Sequence, residues 1–298
     1  MNDFKTTFAR YVQSLEEALP GYLPQGDHRQ KKVYDAMAYS LLGGGKRIRG
    51  VLTLAFYHLF SGGDIGPAVP FGAAVEMIHA YSLIHDDLPC MDDSTLRRGK
   101  PSCHVAYGEA VALLAGDGLL TQAFEIITRP QTMAPISNRR VLETLGVLAR
   151  AAGAQGMIGG QIIDLENENR AASLEELRDM DGKKTGALFR ACVHMGCILG
   201  GAEERATENA LRYAGSLGLA FQILDDILDA SGDAESLGKP AGSDAEHGKS
   251  TYVSLLGIHR ARELAAQLGE DAKDAARAIG RDVEFLLQLV DTLYRREK

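Results

Sequence analysis

Two runs of aspartate carry most of the chemistry this chain could perform. Asp86-Asp87-Leu88-Pro89-Cys90-Met91-Asp92-Asp93 sets four carboxylates within eight residues, directly after the apolar stretch Ile78-His79-Ala80-Tyr81-Ser82-Leu83-Ile84-His85. Asp225-Asp226-Ile227-Leu228-Asp229 repeats the idea, and its i, i+4 spacing puts Asp225 and Asp229 on one helix face about one turn apart. A solvated helix end can hold one such cluster. Two of them, each ending an apolar helix, point to a shared task. Crowded carboxylates repel one another and need cations; hard oxygen ligands suit Mg²⁺, which commonly bridges protein carboxylates to a substrate phosphate. The substrate so implied is a phosphate ester with an apolar remainder.

Basic groups are spaced to complete that site. Gly43-Gly44-Gly45-Lys46-Arg47-Ile48-Arg49 precedes one helix, Arg97-Arg98-Gly99-Lys100 follows the first acid run, and Lys183-Lys184-Thr185 and Lys239 add further charge. Glycine lets backbone approach a phosphate while Arg and Lys neutralise it. Ordinary surface charge is the competing reading for each group taken alone.

The elements that must position these residues are helices. Phe4, Phe8, Tyr11, Val12, Leu15 and Leu19 recur at helical intervals until Pro20-Gly21 stops the pattern. The same spacing runs through Val69 to Leu88, Val105 to Ile127, Val141 to Leu165, Leu174 to Leu199, Leu211 to Leu228 and Val283 to Leu293. Breakers separate them at Ser61-Gly62-Gly63, Arg129-Pro130 with Pro135, Asn167-Glu168-Asn169, Gly200-Gly201 and the Gly/Asp-rich stretch Ser231 to Gly248. Ser173 with Glu176 reads as a capping box. Strand alternation is nearly absent and no linker divides the chain. The expected fold is all-α, a single large helical bundle forming one domain over residues 1–298.

With 298 residues and 45% apolar side chains, the chain can bury one large core or two ordinary ones. The net charge of −8 argues against a surface built for nucleic acid or an acidic membrane. No window is expected to reach the roughly 20 apolar residues that span a bilayer. The acid-bearing, amphipathic start is unlike a secretory signal, so a soluble, cytoplasmic protein is expected. Cys90, Cys103, Cys192 and Cys197 lack paired zinc spacing and read as free, mostly buried thiols.

In their order along the chain these motifs resemble the trans-prenyl diphosphate synthases of the farnesyl and geranylgeranyl type. The match runs from about Leu41 to Leu256: Gly44-Gly45-Lys46-Arg47-Ile48-Arg49, the first aspartate run with Arg97-Arg98-Gly99, Gly160-Gln161-Ile162-Ile163-Asp164-Leu165, Lys184-Thr185-Gly186, Phe221-Gln222-Ile223-Leu224 leading into the second aspartate run, Gly238-Lys239-Pro240 and Lys249-Ser250-Thr251. The resemblance implies helices around a deep central cavity, with the acid motifs facing each other at its mouth and three Mg²⁺ ions between them, Mn²⁺ substituting. It assigns Asp86, Asp92 and Asp225 as the first metal ligands, with Asp87 and Asp229 next. Pro89-Cys90 lengthens the first motif, so Asp92 must be brought back by a local bulge. Lys46, Arg49, His79 and Arg98 fall to the diphosphate of isopentenyl diphosphate; Arg97, Lys184, Thr185, Gln222 and Lys239 to the allylic diphosphate (dimethylallyl or geranyl), with Lys249 a further substrate contact. Catalysis then rests on Asp86, Asp92, Asp225, Lys184 and Arg97, and a homodimer is the usual assembly of such proteins.

Several alternatives stay open on the residues themselves. His79 lies within about 20° of the Asp86 face of an ideal helix, yet a core histidine fits too. A di-iron bundle needs an E-x-x-H pair on each of two helices, and only Glu76 to His79 matches. A non-catalytic helical interaction protein is the different-class alternative. A terpene cyclase would share the fold but usually carries an N/D-x-x-S/T-x-x-x-E second motif, where this chain has Asp225-Asp226-x-x-Asp229. Product length turns on Tyr81 and Ser82. Tyr81 lies about 7.5 Å below Asp86 but about 140° around the helix, while Ser82 is within about 40° yet too small to close a tunnel. A fifteen-carbon product is expected, with a geranylgeranyl synthase as the alternative.

Overall fold

The computed structural model describes residues 4–168, 170–231 and 250–294. In chain order the elements are α1 (Phe4–Tyr22), α2 (Lys31–Leu41), α3 (Ile48–Ser61), α4 (Val69–Asp86), a hairpin of β1 (Leu96–Arg97) and β2 (Lys100–Pro101), α5 (Cys103–Tyr107), α6 (Glu109–Thr128), α7 (Pro130–Met133), α8 (Asn138–Ala152), α9 (Met157–Asn167), α10 (Leu174–Asp181), a π turn (Gly182–Gly186), α11 (Ala187–Gly200), α12 (Glu204–Ser231), α13 (Tyr252–Leu256), α14 (Ile258–Arg277) and α15 (Glu284–Tyr294). The fold is all-α.

Helices α3, α4 and α11 are apolar almost all round, the pattern of a helix with no solvent face. They pack on one another at the centre, with α6 and α12 outside them. Close approach of α3 and α11 depends on Gly196, where a Cβ would stand 2.7 Å from both the Thr53 carbonyl oxygen and the Phe56 Cβ. The buried apolar side chains form one cluster from Tyr11 to Leu293.

The periodicity located the helices but not all their ends. α1 runs through Pro20 to Tyr22, because a proline in the final turn removes only one backbone donor. Val105 to Ile127 is two helices broken at Gly108, whose φ of 89° no helix accommodates. Val141 to Leu165 is likewise split, by the turn from Gly153 to Gly156. Leu174 to Leu199 continues with a π turn inserted. The capping box is present: the Glu176 N–H donates to Ser173 Oγ at 3.2 Å, and the Ser173 N–H to Glu176 Oε2 at 2.8 Å.

Two further expectations are corrected. α6 is long and apolar enough to cross a membrane, by length and composition; its interior acids, Asp117 near mid-helix and Glu125 in the last turns, interrupt the run too little to break it, and the buried face packs along α4. Also, Arg97-Arg98-Gly99-Lys100 is a β-hairpin turn, with Arg98 at φ 54° and Gly99 at φ 72°. Two left-handed residues in succession match the tight turn that joins antiparallel strands. Strands of two residues are too short to show alternation.

Candidate active site

A cavity of about 1270 Å³ opens between α3, α4, α9, α10, the π turn and α12. Asp86, the last residue of α4, lines it together with Asp92 and Asp93 from the following loop and Asp225 and Asp226 from α12. The loop is closed by its own backbone. The Met91 and Asp93 N–H groups both donate to the Leu88 carbonyl, at 2.8 and 3.1 Å, and the Asp92 N–H donates to the Asp86 carbonyl at 2.9 Å. This turn is the bulge that the inserted Pro89-Cys90 requires.

Burial pushes the Asp86 carboxyl up to about 6; Lys184 and Arg97 oppose the shift, and Asp92 and Asp87 reinforce it. Asp87 is differently placed. It is buried behind the cavity wall, where Arg97 Nε donates to both its oxygens at 3.1 Å and Arg97 Nη2 also donates to Oδ1. Asp229 is buried as well, and neither residue is among those lining the cavity. Asp226 lines it instead, accepting from Gln222 Nε2 at 3.3 Å and from the Tyr252 N–H at 2.9 Å.

The basic groups reach the same space from two sides. Lys46, Arg49, His79, Arg97 and Arg98 line the cavity. Arg49 Nη1 lies 3.3 Å from His79 Nε2, and its guanidinium sits 4.9 Å over the Phe189 ring. Guanidinium only donates, so Nε2 accepts and the imidazole is neutral. Burial and the surrounding Arg49, Arg98, Arg97 and Arg47 hold His79 well below the usual histidine range, in agreement. Arg98 Nη1 donates to the Gly44 carbonyl, tying the hairpin to the glycine-rich segment.

Arg47, by contrast, is a brace. Its buried side chain donates to Glu16 Oε1 at 2.6 Å and to the Leu41 carbonyl at 2.8 Å, and pairs with Glu76 at 3.6 Å. Glu76 also accepts the Gly50 N–H at 2.8 Å. The only half of the di-iron pattern is therefore used to hold the start of α3.

Across the cavity the π turn presents Lys184 and Thr185. Lys184 Nζ lies 2.5 Å from Asp164 Oδ2, and Thr185 Oγ1 donates to Gln222 Oε1 at 3.2 Å. α9 approaches so closely at Gly160 that a Cβ there would stand 2.2 Å from the Lys184 backbone nitrogen. Asp164 and Asp181 both line the cavity and carried no role in the sequence reading. The signal for Asp164 was an acid inside the apolar run Ile162-Ile163-Asp164-Leu165. Asp181 is 5% exposed, and burial and Asp226 raise its carboxyl well above the carboxylate range. Lys239, Lys249 and the stretch from 232 to 249 lie outside the described residues.

Tyr81 and Ser82 both line the cavity. Ser82 Oγ donates to the His79 carbonyl at 2.9 Å. The Tyr81 ring meets His85 edge-on at 5.7 Å, and its buried hydroxyl has no hydrogen-bond partner among the described residues.

The decisive match is a family model, polyprenyl synthetase, that aligns with residues 30–287. The chain belongs to the polyprenyl synthetase family. It is thus a prenyltransferase of the trans-prenyl diphosphate synthase type, from a family that uses divalent cations to bind diphosphate. This family member is 45% identical to the farnesyl diphosphate synthase of Bacillus subtilis, over 99% of each chain. It is 43% identical to the chloroplastic geranylfarnesyl diphosphate synthase of Leucosceptrum canum, over 99% of this chain and 81% of the relative. Among solved structures it is similar to a Helicobacter pylori geranyltransferase complexed with magnesium and isoprenyl diphosphate, with a TM-score of 0.87 and 30% identity over 99% of this chain and 97% of that one.

Proposed function

We propose that this family member condenses isopentenyl diphosphate head to tail with dimethylallyl and then geranyl diphosphate, giving (E,E)-farnesyl diphosphate. The observation that carries this reading is the opening of both acid clusters, and of two separate sets of basic groups, onto one cavity that continues past Asp86 to Tyr81. One set, Lys46, Arg49, His79 and Arg98, suits the isopentenyl diphosphate. The other, Lys184, Thr185, Gln222 and Arg97, suits the allylic diphosphate, with Lys239 and Lys249 assigned to substrate from the sequence alone.

The carboxylates fit Mg²⁺ by their chemistry. Hard oxygens crowd the cavity, and burial, with Asp92 and Asp87 nearby, raises the Asp86 carboxyl. Among the described residues no three carboxylate, imidazole or thiol groups converge enough to chelate one ion. Mg²⁺ commonly keeps one or two protein carboxylates and takes its remaining ligands from substrate phosphate and water. Asp86, Asp92 and Asp225 would hold the ions, three per site as in the family pattern, with Asp87 and Asp229 behind them. Bound Mg²⁺ supplies charge neutralisation for the departing diphosphate.

The chain's own residues do the rest. Lys184 and Arg97 stabilise the charge that develops as the allylic C–O bond breaks and its electron pair leaves with the diphosphate. Arg49, oriented by neutral His79, holds the isopentenyl diphosphate so that its double bond can attack the resulting cation. The new carbon–carbon bond forms, and the released diphosphate takes the proton. The apolar wall excludes water from the cation.

Tyr81 closes the tunnel in this reading, with Ser82 beside it, which favours fifteen carbons. The similarity to a geranylfarnesyl synthase favours a longer product as the second reading. The pairing surface of a homodimer would be the flank of α6 and α8, where Leu114 and Leu142 are 57% and 67% exposed. Chromatography of the dephosphorylated products of purified protein tests chain length: farnesol as the main alcohol is expected, and geranylgeraniol as the main alcohol would overturn the fifteen-carbon assignment.

A further inference from the structure

We propose that His85 is the positioning residue that fixes Tyr81 as the tunnel floor, and that the missing side chain of Gly116 is what lets it stand there. The inference rests on the reading of Tyr81 as the stop.

Tyr81 and His85 lie one turn apart on α4, with ring centroids 5.7 Å apart and planes at 80°. No polar contact fixes the phenol, since its hydroxyl has no partner among the described residues. Its ring is therefore held by packing, and His85 supplies an edge-on aromatic contact. His85 is itself anchored. Its Nε2–H donates to the Leu113 carbonyl of α6 at 3.0 Å, with an Asp117 carboxylate oxygen 3.9 Å from the same nitrogen. Because the acceptor is a carbonyl, the hydrogen sits on Nε2. Tyr81, His85 and Leu113 all line the cavity.

Gly116 explains how the imidazole fits. A Cβ on it would stand 2.1 Å from His85 Nε2 and 2.4 Å from Cδ2, so the ring occupies the volume of an α6 side chain. Alanine is the better helix former in the interior of a helix, so glycine here is a concession to the imidazole. The floor is then a relay from Gly116 through His85 to Tyr81. A change on α6 can loosen the stop without touching the acid motifs.

The test is the product spectrum of Gly116→Ala from isopentenyl and geranyl diphosphates, beside Tyr81→Ala. Gly116→Ala should displace the imidazole and raise the share of products longer than the wild-type limit roughly fivefold, the factor a lost aromatic ring pair is worth. The ¹⁵N signal of the His85 Nε2–H, seen by NMR, should shift with it. Longer products from both variants support the relay. Longer products from Tyr81→Ala alone, or shorter ones from Gly116→Ala, overturn the brace and leave the stop standing. An unchanged Tyr81→Ala spectrum overturns the stop itself and the brace with it. If Gly116→Ala does not fold, His85→Gln carries the test: it retains a donor for Leu113 but no ring, and must also lengthen the product.

Discussion

The Asp92 N–H donates to the Asp86 carbonyl over 2.9 Å, so two aspartates six positions apart are folded onto one cavity wall. The intervening Pro89 and Cys90 are turned out to solvent. Asp225 completes the set from α12. Asp86→Asn and Asp225→Asn should each lower turnover by roughly two to three orders of magnitude while leaving circular dichroism unchanged. Turnover near that of the wild type in either variant removes the metal-binding role.

The Asp86 carboxyl, raised to about 6 by burial and its acidic neighbours, makes metal binding depend on acid. The sign follows from the raised value: below it the metal-free carboxyl is protonated, and a cation must displace that proton. Calorimetric titration of Mg²⁺ with an inert allylic diphosphate analogue should show roughly tenfold weaker binding at pH 5 than at pH 7.5. In Asp86→Asn this pH dependence should be lost, and its persistence would assign it elsewhere.

His79 is a neutral acceptor for Arg49, 3.3 Å away. His79→Leu should raise KM for isopentenyl diphosphate roughly tenfold, by releasing an oriented charged hydrogen bond, and leave KM for the allylic partner nearly unchanged. Because the imidazole titrates well below the histidine range, the wild-type isopentenyl KM should show no histidine titration between about pH 6 and 8. Equal effects on both substrates would place His79 among purely structural residues.

Glu76 and Arg47 bury opposite charges 3.6 Å apart, with side-chain exposures of 3% and 1%. Glu76→Ala strands the guanidinium and the Gly50 N–H, and should cost roughly 3 kcal/mol or more in urea unfolding. A loss under about 1 kcal/mol would mean that Glu16 and the Leu41 carbonyl satisfy Arg47 unaided.

The residues that face the cavity were largely readable in the sequence, because acids and bases at helix ends are conspicuous against apolar helices. Asp86, Asp92, Asp225, Arg49, His79 and Lys184 all line the cavity. Asp87 and Asp229 were harder, since adjacent or i, i+4 aspartates look alike until packing decides which is covered. Arg97 claims Asp87, a pairing ten residues apart that no helical period encodes. Asp164 and Asp181 escaped notice because their significance is tertiary: each gains it from Lys184 or Asp226 on another element. The ideal-helix angle set Tyr81 away from Asp86, but the cavity is wide enough for both to line it. The splits at Gly108 and Gly153 follow from backbone conformations that apolar periodicity does not report.

In the proposed reaction isopentenyl diphosphate is the nucleophile. Purified protein should be given Mg²⁺, geranyl diphosphate and ¹⁴C-labelled isopentenyl diphosphate, with diphosphate release and label incorporation followed together. One diphosphate released for each isopentenyl unit built into an acid-labile fifteen-carbon allylic diphosphate is the predicted result. Diphosphate release with no label incorporated, giving hydrocarbon or alcohol from the geranyl chain alone, would contradict it.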